Sequence, residues 1–244
     1  MKPKILCVIP SRLNSTRLPR KPLLKIGSST LIERVYLQAK KCPFLDKIIV
    51  ATDSLEIKNA LIHTDAIVEL TPENIRTGTD RVALISKNHP EFEVVVNLQG
   101  DEPFVTPKML ELLVLPYLNN KNPPMSTLAA PLKNNDDLNN PNIVKIILKK
   151  NKDALYFSRS PIPYFRNLIE DIVVYSHIGL YAFQRDFLVE YSQMNQTPLE
   201  IVESLEQLRA LENGYSIHVE ITNEKILDIN TQEDYEEALR LIQI

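Results

Sequence analysis

Glycine is scarce in this 244-residue chain: there are five in all, where an average usage of ~7% would supply about seventeen. A chain this sparing keeps glycine where backbone freedom or a close approach is needed, which directs attention to Gly78 and Gly100, each embedded in a polar cluster. The two cysteines lie far apart with no motif spacing. Cys7 falls in an apolar run and Cys42 near a helix end, which predicts reduced thiols and a cytoplasmic setting rather than disulfides, metal ligation or a nucleophile. No stretch approaches the ~20 apolar residues of a membrane span, and the apolar run near the amino terminus is too short for a secretion signal. The net charge is −3 and no long basic run is present, so nucleic acid and anionic membrane are disfavoured as partners. Neither GxxxxGK(S/T) nor GxGxxG occurs, which argues against a P-loop NTPase and an NAD-dependent oxidoreductase. There is no internal repeat and no flexible linker.

What the chain does have is a short β-branched run, Val94, Val95 and Val96, followed at once by Asn97, Gln99, Gly100, Asp101, Glu102 and Pro103. The run predicts a strand buried on both faces, as in a parallel sheet. Amides, a glycine and two acids then fall at its carboxyl end, where open α/β sheets bind ligands. Asp101 there suits a hard, oxygen-seeking cation such as Mg²⁺, which commonly accompanies phosphates; the same residues also suit a strand-to-helix turn with an acidic cap.

Periodicity elsewhere gives a strand at 5–9, a helix at 31–41, a strand at 47–51 and a helix at 55–62. A strand at 66–70, a helix at 81–87 and a helix from Pro107 to 118 follow. This alternation predicts a three-layer α/β fold with a doubly wound, mostly parallel sheet. Beyond the Asn-rich loop at 134–142, strand-like runs at 143–148, 154–157, 173–175 and 178–183 predict an antiparallel insertion in the second half. Helices at 186–192 and 199–213, a strand at 216–221 and a helix at 233–241 complete it. One domain over 1–244 is expected, divided near residue 133.

The loop after the first strand carries Arg12, Arg17, Arg20 and Lys21 and no acid between residues 11 and 25. Arginine offers a rigid fork and lysine a mobile point charge, a combination suited to a triphosphate, although a solvated basic loop has the same composition. Here the motifs carry a resemblance: Val8-Ile9-Pro10-Ser11-Arg12, Ser15-Thr16-Arg17-Leu18-Pro19, Lys21-Pro22-Leu23, Ala51-Thr52-Asp53, Thr77-Gly78-Thr79-Asp80-Arg81 and Asn97-Leu98-Gln99-Gly100-Asp101-Glu102-Pro103. With Asn142-Ile143-Val144-Lys145, Ala154 to Arg159, His177-Ile178-Gly179-Leu180-Tyr181 and Leu205-Glu206-Gln207-Leu208-Arg209, the chain closely resembles the 3-deoxy-manno-octulosonate cytidylyltransferases (CMP-Kdo synthetases) over essentially its whole length.

The resemblance implies a nucleotidyltransferase of glycosyltransferase-A-like fold. Its reaction is attack by the anomeric hydroxyl of Kdo, an acidic eight-carbon sugar, on the α-phosphorus of CTP, with loss of pyrophosphate, for lipopolysaccharide synthesis. By resemblance, Arg12, Arg17, Lys21 and Asp101 are catalytic. CTP would meet Pro10, Ser11, Arg12, Lys21, Thr77, Gly78, Arg81 and Gln99, and the sugar Gln99, Arg159, His177, Tyr181, Glu206 and Gln207. Mg²⁺ would be held by Asp101. The family also implies a homodimer formed by the second half. Taken alone, Thr77 and Thr79 read equally as helix caps, His177 as a structural histidine, and Glu206 and Gln207 as a solvated helix face.

Three departures stand out. Asn230 occupies the place of the family's second metal-binding aspartate, so Asp228 takes that role two residues back, or Mg²⁺ binds more weakly, or Asn230 assists Asp101 and the nucleotide. Arg20 replaces a usual glycine, and Ile75 stands where some relatives have histidine. An 8-amino analogue of Kdo, a nine-carbon sialic-type acid, and a non-catalytic nucleotide-sugar-binding role are the alternatives carried forward.

Overall fold

The computed structural model describes residues 2–14, 17–132, 134–167, 172–224 and 226–242; Ser15 and Thr16 of the basic loop lie outside them. The chain opens with β1 (Ile5–Ser11), every residue of which is buried. Alternate side chains of this strand feed two separate cores: Ile5, Cys7 and Ile9 enter one, Leu6 and Val8 the other. That is the period of two expressed in a strand covered on both faces. After a 3-10 turn at Lys21–Leu23, the short pair β2 (Lys25–Ile26) and β3 (Ser29–Thr30) reverses through Gly27 at φ +68°, a left-handed conformation that glycine adopts without strain. Helix α1 (Leu31–Ala39) begins at a capping box in which Thr30 and Glu33 each bond the other's backbone N–H.

Then come β4 (Lys47–Thr52), α2 (Leu55–Ala60), β5 (Ile67–Leu70), α3 (Gly78–Asn88), β6 (Val94–Asn97), α4 (Pro107–Leu118) and β7 (Met125–Pro131). The second half adds α5 (Asn135–Asn139), β8 (Lys145–Leu148), β9 (Ala154–Ser158), β10 (Tyr175–Gln184), α6 (Arg185–Tyr191), α7 (Pro198–Glu203), α8 (Leu208–Glu212), β11 (Ile217–Ile221) and α9 (Gln232–Ile242). Helices α1, α2, α4 and α9 contribute to the first core and α3, α6 and α8 to the second, which gives the expected three layers. Among the described residues no helix is long and apolar enough to cross a membrane.

The sheet runs β11-β7-β10-β6-β1-β4-β5, with β8 joined to β10 and β9 to β8. Strand β1 is parallel to both β4 and β6, and β7 is parallel to β11. Within that order β10 alone is reversed, being antiparallel to β6 and β7, and the β8–β9 pair is antiparallel as well. The antiparallel part is therefore narrower than the sequence suggests. The runs at 173–175 and 178–183 merge into one strand that starts only at Tyr175, with a register shift between Ile178 and Tyr181. The single helix expected at 199–213 is broken where Ser204 takes φ 52°, a left-handed conformation that ends an α-helix. The Asn-rich segment contains α5, and β7 is a strand that the apolar pattern does not mark.

Chain order reverses direction about β1, so its carboxyl end and that of β6 form a topological switch point. Pairing of β1 with β6 stops at Val8–Asn97, whereas pairing with β4 continues to Ser11–Thr52. The two strand ends therefore part at Pro10, which has no N–H to offer a neighbour. Gly100 passes so close that a Cβ there would lie 2.8 Å from the Pro10 carbonyl oxygen.

Lys145 ties the second half together. It is fully buried, and its ammonium donates to the carbonyls of Asn140 (3.0 Å), Ile143 (2.7 Å) and Arg159 (2.5 Å). Lys145→Met keeps the apolar stem and strips the three carbonyls of their charged donor, only that of Asn140 keeping another, the Ile143 N–H at 3.2 Å. The expected loss is about 3 kcal/mol of stability, read from urea unfolding.

Candidate active site

The cleft at the switch point is lined by Pro10, Ser11 and Arg12 from the end of β1, and by Asn14, Arg17, Lys21 and Pro22 from the basic loop. Gln99, Gly100 and Asp101 after β6 and Asn230 before α9 complete it. Sequence elements more than 200 residues apart thus meet at one ammonium: Lys21 Nζ donates to Asp101 Oδ2 at 2.7 Å and to Asn230 Oδ1 at 3.3 Å. The segment carrying Asn230 is pinned by Ile229 N–H donating to the Asp101 carbonyl at 3.0 Å. Ile229 is buried in the first core beside Asn230, which lines the cleft. Asp234 is occupied elsewhere, accepting from the N–H groups of Asn230 (2.9 Å) and Thr231 (2.8 Å) at the start of α9.

Acidic groups crowd around Asp101 at this point. Asp228 is exposed, two residues before Asn230. Its pKa is pushed up to about 7, first by loss of surrounding water and then by the charge of Asp101, with Lys21 opposing. Glu102 is 2% exposed, its Oε2 has no partner among the described residues, and its pKa lies well above the ordinary carboxylate range through burial, then Asp228 and Asp101. Carboxylates crowded around a single ammonium are the arrangement a further cation would relieve. Asp101 and Asn230 already aim oxygen at one cationic centre, so the donor set fits a hard divalent ion. No three His, Cys, Asp or Glu side chains among the described residues converge to enclose a metal. An ion here would therefore draw further ligands from phosphate or water.

The other expected nucleotide contacts divide. Arg12 donates from Nη2 to the Ile75 carbonyl, drawing the 75–77 loop over the cleft. Thr77 is the N-cap of α3, its hydroxyl accepting from Asp80 N–H at 3.0 Å. Gly78 lets this helix start approach Gln99: a Cβ there would lie 3.2 Å from Gln99 Oε1. Gln99 is oriented by a chain in which its Nε2 donates to Asn97 Oδ1 (3.0 Å) and Asn97 Nδ2 donates to Thr79 (3.2 Å). Arg81 lies apart from the cleft. It is fully buried and bonds Asp53 (2.8 Å) and Thr71, so it braces the tip of β4 against α3.

On the sugar side, His177 lies between rings, 4.9 Å from Phe157 and 5.5 Å from Tyr181 between centroids. Burial pushes its imidazole pKa down to about 3. The Tyr181 hydroxyl is held well above its ordinary pKa by burial, then by Glu206 and Glu102. Burial likewise raises the Glu206 pKa although Arg209 opposes it. Glu206 Oε1 and Gln207 Nε2 are buried without partners among the described residues. These two are therefore not the solvated face of a helix: both precede α8, and Gln207 is 3% exposed. Arg159 is engaged differently: its guanidinium donates to the carbonyls of Glu203 (2.8 Å), Pro141 (3.0 Å) and Ser204 (3.5 Å). The cleft also takes in Asn14 and Pro22, to which the sequence assigns no ligand contact. Asn97, whose place at the polar end of a buried strand is its signal, acts on the site through Gln99.

Comparison with known proteins agrees with this geometry. Residues 6–242 match the family model described as cytidylyltransferase. A 3-deoxy-manno-octulosonate cytidylyltransferase of Acaryochloris marina is 48% identical, covering 98% of this chain and 97% of that protein. The chain belongs to the 3-deoxy-manno-octulosonate cytidylyltransferase family. The family member of Fusobacterium nucleatum is 44% identical over 98% of this chain and 97% of its own. A solved CMP:2-keto-3-deoxy-manno-octonic acid synthetase complexed with CTP superposes with a TM-score of 0.93 at 34% identity, covering 98% of both chains.

Because the His177 pKa is depressed on folding, the unfolded chain binds more protons between about pH 3 and 6.5. The stability associated with a neutral His177 is therefore present above pH 6.5 and lost as pH falls toward 3. The loss of stability on acidification across this window is expected to be smaller in His177→Gln than in the parent, measured by urea unfolding at stepped pH.

Proposed function

We propose that the protein transfers CMP from CTP to the anomeric hydroxyl of Kdo, releasing pyrophosphate and supplying activated Kdo for lipopolysaccharide synthesis. The observation that carries this reading is the convergence of Asp101, Asn230 and Lys21 at the mouth of a cationic loop, in a chain whose relatives at 41–48% identity bear the Kdo enzyme's name. Those names also favour Kdo over a nine-carbon acid.

Attack on an anionic phosphorus depends on charge neutralisation and alignment more than on covalent help. Arg12, Arg17 and Lys21 hold the triphosphate and the departing pyrophosphate, while the Thr77-Gly78 helix start and Gln99 flank the nucleotide. The sugar lies against Gln99, His177, Tyr181, Glu206 and Gln207; its carboxylate meets Arg159, whose guanidinium commits three of its five N–H groups to backbone carbonyls and keeps two for a ligand. The new bond joins the anomeric oxygen to the α-phosphorus, and the bond from that phosphorus to the β-bridging oxygen breaks. Mg²⁺ would be held by Asp101 and Asn230, with Asp228 two residues before Asn230, and would supply charge neutralisation and a lowered hydroxyl pKa when bound.

A homodimer is supported by apolar side chains left in solvent on the second half, among them Leu155, Ile201 and Val202. A cytoplasmic location and a single domain shared by both halves complete the reading.

Pyrophosphate release from CTP, measured with Mg²⁺ and a panel of Kdo, 8-amino-Kdo and sialic acid, tests the function. Release with Kdo is expected; release with none of the three would leave a nucleotide-sugar-binding protein. Asp101→Asn should lower kcat 100- to 1,000-fold, about the loss on removing one preorganised electrostatic group. Asp228→Ala and Asn230→Ala should each raise the Mg²⁺ requirement roughly tenfold; no change in either would remove both residues from the metal site.

A further inference from the structure

We propose that Thr127 is a positioning residue for the acceptor sugar: its hydroxyl fixes the proton of His177 on Nε2 and leaves Nδ1 as a bare acceptor for a sugar hydroxyl. The inference rests on the reading that the sugar lies against His177. Thr127 is fully buried on β7, opposite the register shift of β10. Its Oγ1 lies 2.8 Å from the Leu180 carbonyl oxygen, 3.1 Å from that of Ile178 and 3.0 Å from His177 Nε2.

A hydroxyl has one proton and two lone pairs, and a carbonyl oxygen only accepts. The single Thr127 proton goes to a carbonyl, Leu180 being the nearer. Were it directed at His177 instead, two carbonyl oxygens would face hydroxyl lone pairs with no donor between them. With that proton committed, Thr127 meets Nε2 as an acceptor, and Nε2 must carry a hydrogen. The ring is neutral, as its burial dictates, so it has one N–H and that N–H is now assigned. Nδ1 has no partner among the described residues. It offers a lone pair, which accepts from an alcohol and repels a carboxylate. His177 would thus select for the hydroxylated part of the sugar and not for its acid group. Phe157 and Tyr181 flank the ring and hold its plane, while the hydroxyl of Thr127 sets which nitrogen is bare.

The test reads tautomer and turnover separately. In the ¹⁵N-labelled full chain without substrates, long-range ¹H–¹⁵N correlation spectra distinguish protonated from bare ring nitrogens. His177 is assigned among the four histidines by the peaks lost in His177→Gln. The expected wild-type result is Nε2 protonated and Nδ1 bare; the opposite tautomer overturns the proposal. In Thr127→Val the acceptor for Nε2–H is gone, so the Nδ1–H form should become populated. The KM for Kdo should then rise roughly tenfold, the scale of one lost hydrogen bond, with kcat within about twofold and the KM for CTP unchanged. Thr127→Ser keeps the hydroxyl and should restore both tautomer and KM. An unaltered tautomer and sugar KM in the valine variant overturns the proposal. If that variant does not fold, the wild-type and serine spectra decide alone, Nε2–H in both supporting and Nδ1–H in either refuting. Because the tautomer is read without substrate, failure to turn over Kdo would defeat the proposed function while leaving the assignment of Thr127 readable.

Discussion

Lys21 reaches across the cleft to Asp101 at 2.7 Å and Asn230 at 3.3 Å, and the layout of the ligand-binding edge follows from what that contact requires. The basic loop must fold back over the end of β1, the 228–230 segment must run beside Asp101, and β1 and β6 must separate to leave room. Each requirement has a residue that meets it. Pro10 marks where the pairing of β1 with β6 ends, Gly100 lets the turn pass close to the backbone, and Ile229 anchors its segment in the core beside Asn230, which lines the cleft. Glu102 and Asp228 crowd the same place, and their raised pKa values record how poorly one ammonium offsets a further carboxylate charge there.

The parts of this arrangement that announce themselves in the sequence are those with a strong local cause. Val94 to Val96 and the apolar run of β1 are legible because strands covered on both faces need unbroken apolar residues. The polar cluster after β6 is legible because it breaks that run abruptly. Strand β7 is not, since Met125–Pro131 contains Ser126 and Thr127, whose buried hydroxyls are satisfied only by distant partners such as the Leu113 and Leu180 carbonyls. The break between α7 and α8 is equally hidden. Leu199 to Asn213 reads as one helix, and the turn depends on Ser204 adopting a left-handed backbone conformation that serine does not advertise. Arg81 and Arg159 show the limit for charged residues. Their sequence context fits ligand contact, yet one is enclosed with Asp53 and the other is spread over three backbone carbonyls, pairings that only tertiary structure decides.

The sugar side is held by a different kind of interaction from the nucleotide side. Where the nucleotide would sit, opposed charges and helix caps fix the side chains. Around His177 and Tyr181, aromatic packing and buried hydroxyls do so, and the titratable groups are pushed away from their charged forms. A polyhydroxylated ligand suits such neutral donors and acceptors, as a triphosphate suits the cationic loop.

Strand β10 runs against its neighbours β6 and β7, so its beginning, not its end, reaches the edge where ligands gather. The residues it presents there belong to a stretch of chain remote from the loops that follow β1 and β6. His177 and Tyr181 thus come to that edge from a passage of sequence separate from the one that carries Lys21 and Asp101, with Gln99 the side chain assigned to both. Substitutions in β10 can reshape one wall of the site while the loop after β1 keeps its sequence.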